Sequence, residues 1–525
     1  MSSTHNSDDI ASSYLSPLDQ LVPRGYFGEV LCFPCTDKRV LELLRNGLKS
    51  AAESIPYLTS FVIADTNISK KGWITLSESG ADSLDDMLVC HDLPSLETDM
   101  EKERVSYTAL RDASFPIGTL NHALFYPDIP PHGILPAPVL RAQATLVTGG
   151  VLLAVLVHHS VFDGTALNDL LTLWAASCHL GAAENHTAIQ ISPRRLDRRA
   201  LLPKAVDIAP ATWPSEVYVT AHSGTSGRNL ATKTASQFGH VLKHVLQALK
   251  PTRSPPPASL AKLSTTLHRI SSSSLAELKT QINRILPQIN NCSGSQDVAF
   301  VSTNDVITAL ISCAVATTAP PDAISSRRFW KKRNKAQESI LGVAINIRPR
   351  LSPPLPPDFL GNGLGVAWIS VPQKTLVNAG SEASLVLLAR VAATIRSGVA
   401  RVDDSSVKNL IRWLDTYPGN IHDEVWWRPA DRMFDFYVSS WAGQKKLYEM
   451  DWGSGSELLR GMRCEAIRCL QLVVKDIAVI LPPRKTIEGS GEEDFELAVT
   501  LEAGQMERLQ QSMLMRAFTE VIDVC

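Results

Sequence analysis

The stretch LAVLVHHSVFDGTAL, residues 153–167, drives an apolar run straight into two histidines and then an Asp-Gly pair. A short run of Val and Leu of this length reads as a buried strand, so the chain must build a sheet that can cover it. The following TALNDLLTLWAASC sets Leu167, Leu170, Leu171 and Trp174 on one face, an amphipathic helix with a core-facing stripe. Upstream, VLRAQATLVTGGVLLAVLV (139–157) predicts two strands joined at Gly149-Gly150, a hairpin signal. Strand, histidine turn and helix succeed one another without a spacer.

The rest of the chain mixes the two periodicities in both halves. LELLRNGLKSAAESIP (41–56) has leucines at helical spacing and ends on Pro56. SSSSLAELKTQI (271–282) predicts a helix opened by a capping box of Ser274 and Glu277, and STNDVITALISCAVA (302–316) a second capped helix. SILGVAINI (339–347) and DFELAVTL (494–501) read as strands, LQLVVKDIAVILPP (470–483) as a hairpin, and EAGQMERLQQSML (502–514) as a surface helix. No regular βα repeat and no short internal repeat appears, so the expected class is mixed α/β (α+β). At 525 residues the chain exceeds one ordinary core, and KPTRSPPPASLAK (250–262), rich in Pro, Ser and Lys, suits a surface crossover between halves.

Composition closes off several function classes. A net charge of −2 offers no electrostatic case for nucleic acid or an anionic membrane surface, and RRFWKKRNK (327–335) reads as an exposed basic loop or a lure for a polyanionic ligand. The polar MSSTHNSDDIASS start does not suit a signal peptide, and no apolar stretch approaches a membrane span. Nine cysteines spread over the chain argue against a disulfide framework, and Cys32-Phe33-Pro34-Cys35 stands alone without a second pair. The expected setting is a reducing cytoplasm.

Three chemistries suit the histidine pair. A metal site is disfavoured because adjacent strand residues face opposite ways, and His158 and His159 then cannot share an ion, with no third ligand nearby. A His and an Asp four apart could simply cap the helix. An imidazole held at the end of a rigid strand could instead act as a base, since its pKa near 6.5 suits removing a proton from a hydroxyl or amine. Asp163 would then anchor the turn to a basic partner elsewhere in the chain.

His158-His159-Ser160-Val161-Phe162-Asp163-Gly164 is similar to the HHxxxDG signature of the CoA-dependent BAHD acyltransferases and of peptide-synthetase condensation domains. SSWAGQKKLYEMDWGSG (439–455) resembles the BAHD Ser/Thr-Ser-Trp and DFGWG segments. VAINIRPRLSPPLPPDFLGN (343–362) looks like the family strand ending in Arg-x-Arg, a proline-rich stretch and Gly-Asn. SPLDQ (16–20) and VSTNDVITAL (301–310) fit in the same order, so the likeness spans nearly the whole chain.

The resemblance implies two chloramphenicol-acetyltransferase-like domains, each a mixed sheet flanked by helices. They would occupy residues 1–225 and 298–525, with a crossover over 226–297. It implies direct acyl transfer from an acyl-CoA, acetyl-CoA by default, to a small-molecule hydroxyl acceptor. No permanent cofactor, metal, nucleic acid or membrane is implied, and the enzyme would be a monomer. By position His159 matches the general base, His158 a structural neighbour, and Asp163 an aspartate that forms an ion pair beside Gly164. Either Arg348 or Arg350 would be its partner, the other holding Asp451. Ser439 and Trp441 match positions that hold the acyl carbonyl, and Gly453 and Gly455 match supporting loop glycines. The loop here is Asp451-Trp452-Gly453-Ser454-Gly455, with the first aromatic changed and the second lost, a looseness that resembles the fungal trichothecene acetyltransferases. That branch points to a terpenoid, alkaloid or polyketide acceptor. A carrier-dependent, amide-forming condensation enzyme and a catalytically dead ligand-binding homologue are the alternatives.

Overall fold

The computed structural model describes residues 14–67, 69–77, 82–93, 106–120, 124–180, 189–203, 219–220, 263–293, 298–318, 338–426, 436–454, 456–470, 474–485 and 493–524. The segments expected as a crossover at 250–262 and a basic loop at 327–335, together with Gly455, lie outside them.

The first half supplies β1 (Tyr26–Pro34), α1 (Arg39–Ser54), β2 (Leu88–Asp92), β3 (Leu140–Val147), β4 (Gly150–His158) and α2 (Gly164–Leu180). Then come β5 (Leu263–Ile270), α3 (Ser272–Ser293), α4 (Thr303–Ala316), β6 (Glu338–Asn346), β7 (Leu364–Pro372) and α5 (Leu385–Ala400). The chain continues through β8 (Phe436–Ser440), β9 (Ala466–Leu470), β10 (Ile477–Ile480), β11 (Glu493–Glu502) and β12 (Glu520–Val524).

Two main sheets result. The five-stranded sheet runs β9-β1-β4-β3-β2, and the eight-stranded one runs β7-β6-β8-β10-β11-β5-β12 with Arg484–Lys485 paired to β11. Both are mixed: β2–β3, β6–β8 and β8–β10 are parallel. The expected mixed α/β class is what forms.

The apolar run of β4 is explained by cover on both faces. Leu153, Val155 and Val157 pack against Leu44 and Leu48 of α1 and Leu167, Leu170, Leu171 and Trp174 of α2. Leu152, Ala154 and Leu156 face Val30, Cys32, Tyr107, Phe115 and Phe125. A strand with both faces buried cannot alternate polar and apolar residues, and this one does not. Each fully buried leucine contributes roughly 1.5–3 kcal/mol, so the strand is held hard in place. The β3–β4 hairpin closes with Val147 opposite Gly150, and Gly149 takes a positive φ of 88° that side chains rarely adopt. Register sets Tyr26 opposite His158, so the histidine turn emerges at the end of a central strand.

Two expectations are corrected. Residues 470–483 do not form a hairpin: β9 pairs with β1 in the first sheet, while β10 lies between β8 and β11 in the second. The capping box at Ser274 and Glu277 is also absent; α3 starts earlier, and Ser271 Oγ accepts from Ser274 N at 3.2 Å. By contrast α4 has a true capping box of Ser302 and Asp305. Both β5 and α3, inside the 226–297 stretch, belong to the second sheet and its core.

The sheets meet at a buried charge cluster. Arg468 of β9 and Arg484 reach Glu496 of β11 at 2.8 and 2.9 Å, and Arg468 also donates to the carbonyls of Ser114 and Phe115. Arg468 and Glu496 are both fully buried. Among the described residues no helix is long and apolar enough to cross a membrane, and no cluster of three or more His, Cys, Asp or Glu could hold a metal ion. Cys32 and Cys35 are both free thiols, and burial pushes Cys32 up to about 12.

Candidate active site

His159 sits one residue past β4, half-buried, where its backbone N–H donates to Gly25 O at 2.8 Å. Its Nδ1 lies 3.1 Å from the carbonyl oxygen of Phe162. A carbonyl can only accept, so Nδ1 carries the hydrogen and Nε2 of the neutral ring keeps a bare lone pair. The ring packs on Phe27 at 4.4 Å between centroids. Burial lowers its pKa below the ordinary histidine value, opposed by its backbone hydrogen bonds and by Asp163. The imidazole is therefore neutral at pH 7.

His158 behaves differently. It is buried at 1% exposure, stacks edge-on with Tyr26 at 5.3 Å, and accepts from Ser160 N at Nδ1, 3.3 Å away. Burial drives its pKa down to about 3. It is a neutral packing residue, and the two histidines are not equivalent.

Asp163 is buried and fully bonded. Arg348 Nη1 and Nη2 reach its two oxygens at 2.8 and 2.9 Å, Gly363 N donates at 2.7 Å, and Ala166 N, in the first turn of α2, at 2.8 Å. Arg348 has no exposed surface and donates further to the carbonyls of Phe359 and Gly361. The carboxylate is thus occupied by structural partners, and its part is to fix the loop between strand and helix.

Of the two arginines, Arg348 is the partner. Arg350 does not hold Asp451; its Nη1 donates at 2.7 Å to the carbonyls of Val399 and Val402, at the C-terminal end of α5. The last carbonyls of a helix run short of regular donors; Val399 O takes a long bond from Val402 N at 3.4 Å, and the guanidinium adds a shorter one. Asp451 instead accepts from Gly453 N at 3.0 Å and Gly461 N at 2.8 Å, closing its own loop.

Trp441 follows β8 directly, and its backbone N–H donates to Ile480 O at 2.8 Å. Its indole lies 6.4 Å from the Phe27 ring and covers Gly164, where an added Cβ would come within 3.3 Å of Nε1. Gln444 Nε2 donates to Gly164 O at 2.8 Å. The helical turn after Trp441 is thereby docked onto the start of α2, and His159, Phe27, Trp441 and Gly164 come together. Ser439 lies in β8, two residues before Trp441.

The departure in the Asp451 loop has a physical reason. Trp452 is fully buried and packs edge-on against Phe33 at 5.3 Å and Trp174 at 6.2 Å, filling the first core. A Cβ on Gly453 would fall 1.8 Å from Leu459 O, so no side chain fits there.

Phe27 and Gln444 are site residues that sequence reasoning missed. Phe27 stands in the β1 run YFGEVLCFP, whose apolar character suits a strand but does not say which residue touches an imidazole. Gln444 stands in the AGQKK run directly after the tryptophan, and only the docked turn shows what its amide holds.

Comparison with known proteins gives the family and the fold. The Transferase family model matches residues 125–515, and that of the trichothecene 3-O-acetyltransferase-like N-terminal domain matches residues 28–178. O-acetyltransferase pboB of Aspergillus ustus is 25% identical, with 94% of this chain and 95% of the relative covered. Fumigaclavine B O-acetyltransferase easN of Aspergillus fumigatus is 26% identical, with 84% of each chain covered. Among solved structures, F. graminearum TRI101 complexed with coenzyme A and T-2 mycotoxin superposes with a TM-score of 0.67 at 18% identity, covering 97% of this chain and 99% of that one. Vinorine synthase gives 0.54 at 14% identity, covering 99% and 96%. These folds are the two-domain BAHD architecture. With the family model spanning most of its length and the histidine turn, the buried ion pair and the tryptophan brought to one place, the chain belongs to the Transferase family and is an acyltransferase.

Proposed function

We propose that the protein transfers an acetyl group from acetyl-CoA to a hydroxyl of a terpenoid, alkaloid or polyketide metabolite, directly and without a covalent enzyme intermediate. The observation that carries this reading is the Nδ1 contact of His159 with the Phe162 carbonyl, which leaves Nε2 bare beside Phe27. The fungal relatives are named O-acetyltransferases, one of them for fumigaclavine B, and these names support O-acetylation of a small-molecule acceptor.

In this mechanism the acceptor hydroxyl attacks the thioester carbonyl carbon as His159 Nε2 takes its proton. The carbonyl oxygen gains charge, and the Trp441 indole N–H and Ser439 hydroxyl donate to it. The tetrahedral intermediate collapses by breaking the C–S bond, and the imidazolium returns its proton to the departing CoA sulfur. The base contributes on the order of a hundredfold to ten-thousandfold, and holding donor and acceptor together supplies much of the rest.

The test is mass spectrometry of products after incubation with acetyl-CoA and a panel of terpenoid, alkaloid and polyketide alcohols. One acetylated product, formed by the wild type and lost in His159→Ala, is expected. A His159→Ala protein keeping more than about a tenth of wild-type turnover would overturn the assignment of the base.

A further inference from the structure

Both peptide planes flanking the His159 Cα are pinned. On the N-terminal side, His158 O accepts from Val161 N at 2.8 Å, and His159 N donates to Gly25 O at 2.8 Å. On the C-terminal side, Ser160 N donates to His158 Nδ1, and His159 O accepts from Asn362 Nδ2 at 2.9 Å. With both planes fixed, φ and ψ of His159 are fixed, and so is the direction of its Cα–Cβ bond. Three of these bonds are local to β1, β4 and the turn itself. The fourth comes from an asparagine 203 positions away.

Asn362 is fully buried and is itself oriented by charge. The same Nδ2 donates to Asp19 Oδ1 at 2.8 Å, so its two hydrogens point at two groups that can only accept. Asp19 has no exposed surface, and a buried carboxylate is costly unless paired. Its counter-ion is Arg198, at 2% exposure, whose Nη1 lies 3.2 Å from both oxygens; Ser16 N adds a bond at 2.6 Å. Arg198 Nη2 donates to Val161 O at 2.8 Å, inside the His159–Asp163 turn, and to Leu360 O at 3.2 Å. The turn is thus gripped by two buried ion pairs, Asp163–Arg348 at its far end and Asp19–Arg198 at its near end.

We propose that Asn362, oriented by Asp19 and Arg198, is a positioning residue for the catalytic base, fixing the backbone so that the His159 ring keeps Nδ1 on the Phe162 carbonyl and Nε2 on the substrate side. The proposal rests on His159 being the base. Releasing the His159 carbonyl lets the ring leave that bond, so the Nε2–H tautomer, which cannot accept a proton, gains population. The effect falls on turnover rather than on acetyl-CoA binding, because Asn362 holds the backbone and the donor does not touch it in this scheme.

The experiment uses the full chain with acetyl-CoA alone, reading CoA thiol release to water, and the imidazole 15N signals of His159. Asn362→Ala should lower kcat roughly tenfold to a hundredfold, leave KM for acetyl-CoA within about twofold, and show both tautomers of His159 where the wild type shows the Nδ1–H form. Asn362→Ser, which keeps a hydroxyl donor, should recover part of the rate and of the tautomer preference. A variant with wild-type kcat, or one that loses rate while His159 stays in the Nδ1–H form, overturns the proposal. Should Asn362→Ala fail to fold, Asn362→Ser against wild type carries the same two readings. His159→Ala is the separate control: if it keeps more than about a tenth of the wild-type rate, the base assignment itself is wrong, whatever Asn362 does.

Discussion

Asp163 and Arg348, 185 positions apart in the chain, meet as a two-pronged buried ion pair at 2.8 and 2.9 Å. Replacing Asp163 with Asn leaves a guanidinium with no exposed surface facing a neutral amide. Breaking a buried pair from one side costs about 3–5 kcal/mol. Asp163→Asn should therefore lower the urea midpoint clearly and lose activity by loosening the turn. An unchanged midpoint with undiminished turnover would show that the pair is not what holds the loop.

Gly164→Ala should separate stability from activity. The new Cβ would come within 3.3 Å of Trp441 Nε1 and 3.8 Å of Gln444 Nε2, so the indole must give way by a few tenths of an ångström. Alanine at the first residue of α2 favours the helix by up to about 1 kcal/mol. We expect acetyl transfer to fall about tenfold, in line with a displaced oxyanion donor, while the melting temperature holds or rises. Unimpaired turnover would remove Trp441 from the mechanism.

Glu29 should make the protein less stable as pH rises. It lies on β1 on the same face as Phe27 and is fully buried, with neither carboxyl oxygen hydrogen-bonded among the described residues. Burial pushes its pKa from 4.5 up to about 8. The unfolded chain releases this proton near pH 4.5 and the folded one only near 8, so the destabilisation grows across that window and then levels off. Glu29→Gln removes the titration. Its unfolding free energy relative to wild type should climb between pH 5 and pH 8, by an amount on the order of a few kcal/mol, read from urea melts at each pH. A difference that is flat with pH would mean that Glu29 titrates normally.

Glu496 should act in the opposite direction at acid pH. Burial pushes its carboxyl up, but the guanidiniums of Arg468 and Arg484 outweigh it and hold the pKa at about 2. A depressed carboxylate stabilises the fold above its unfolded pKa of 4.5, and that contribution is lost as pH falls from there towards 2. Glu496→Gln should cost about 3–5 kcal/mol at pH 7 by leaving both arginines buried without a counter-charge. Its stability should then depend less on pH between 4.5 and 2. Wild-type acid sensitivity in the variant would place the titrating group elsewhere.

The parts of the site legible in sequence are those that sit in one contiguous run. His159, Asp163 and Gly164 share seven residues with a strand before them and a helix after, so periodicity alone placed them at an element boundary. Arg348 was narrowed only to an Arg-x-Arg, because two residues apart in a tight turn can diverge completely: one goes to Asp163, the other to the end of α5. Asn362, Asp19 and Arg198 were harder still. Each stands in a different segment, and what unites them is a shared burial that no local pattern encodes. The same limit explains β9. Adjacent strands usually pair, so LQLVVKDIAVILPP reads as a hairpin; nothing in those residues says that the first strand belongs beside Tyr26–Pro34 while the second joins a different sheet.

That exchange of β9 bears on how the protein is made. Among the described residues, the edge of β1 away from β4 is covered by residues 466–470, which are synthesised more than four hundred residues after β1 itself. Until then the first sheet presents an open strand edge, the kind of surface that pairs with other chains. The nascent N-terminal half must wait, unfinished, for its last strand. A truncation that removes residues 466–470 would therefore strip an edge from the sheet translated first.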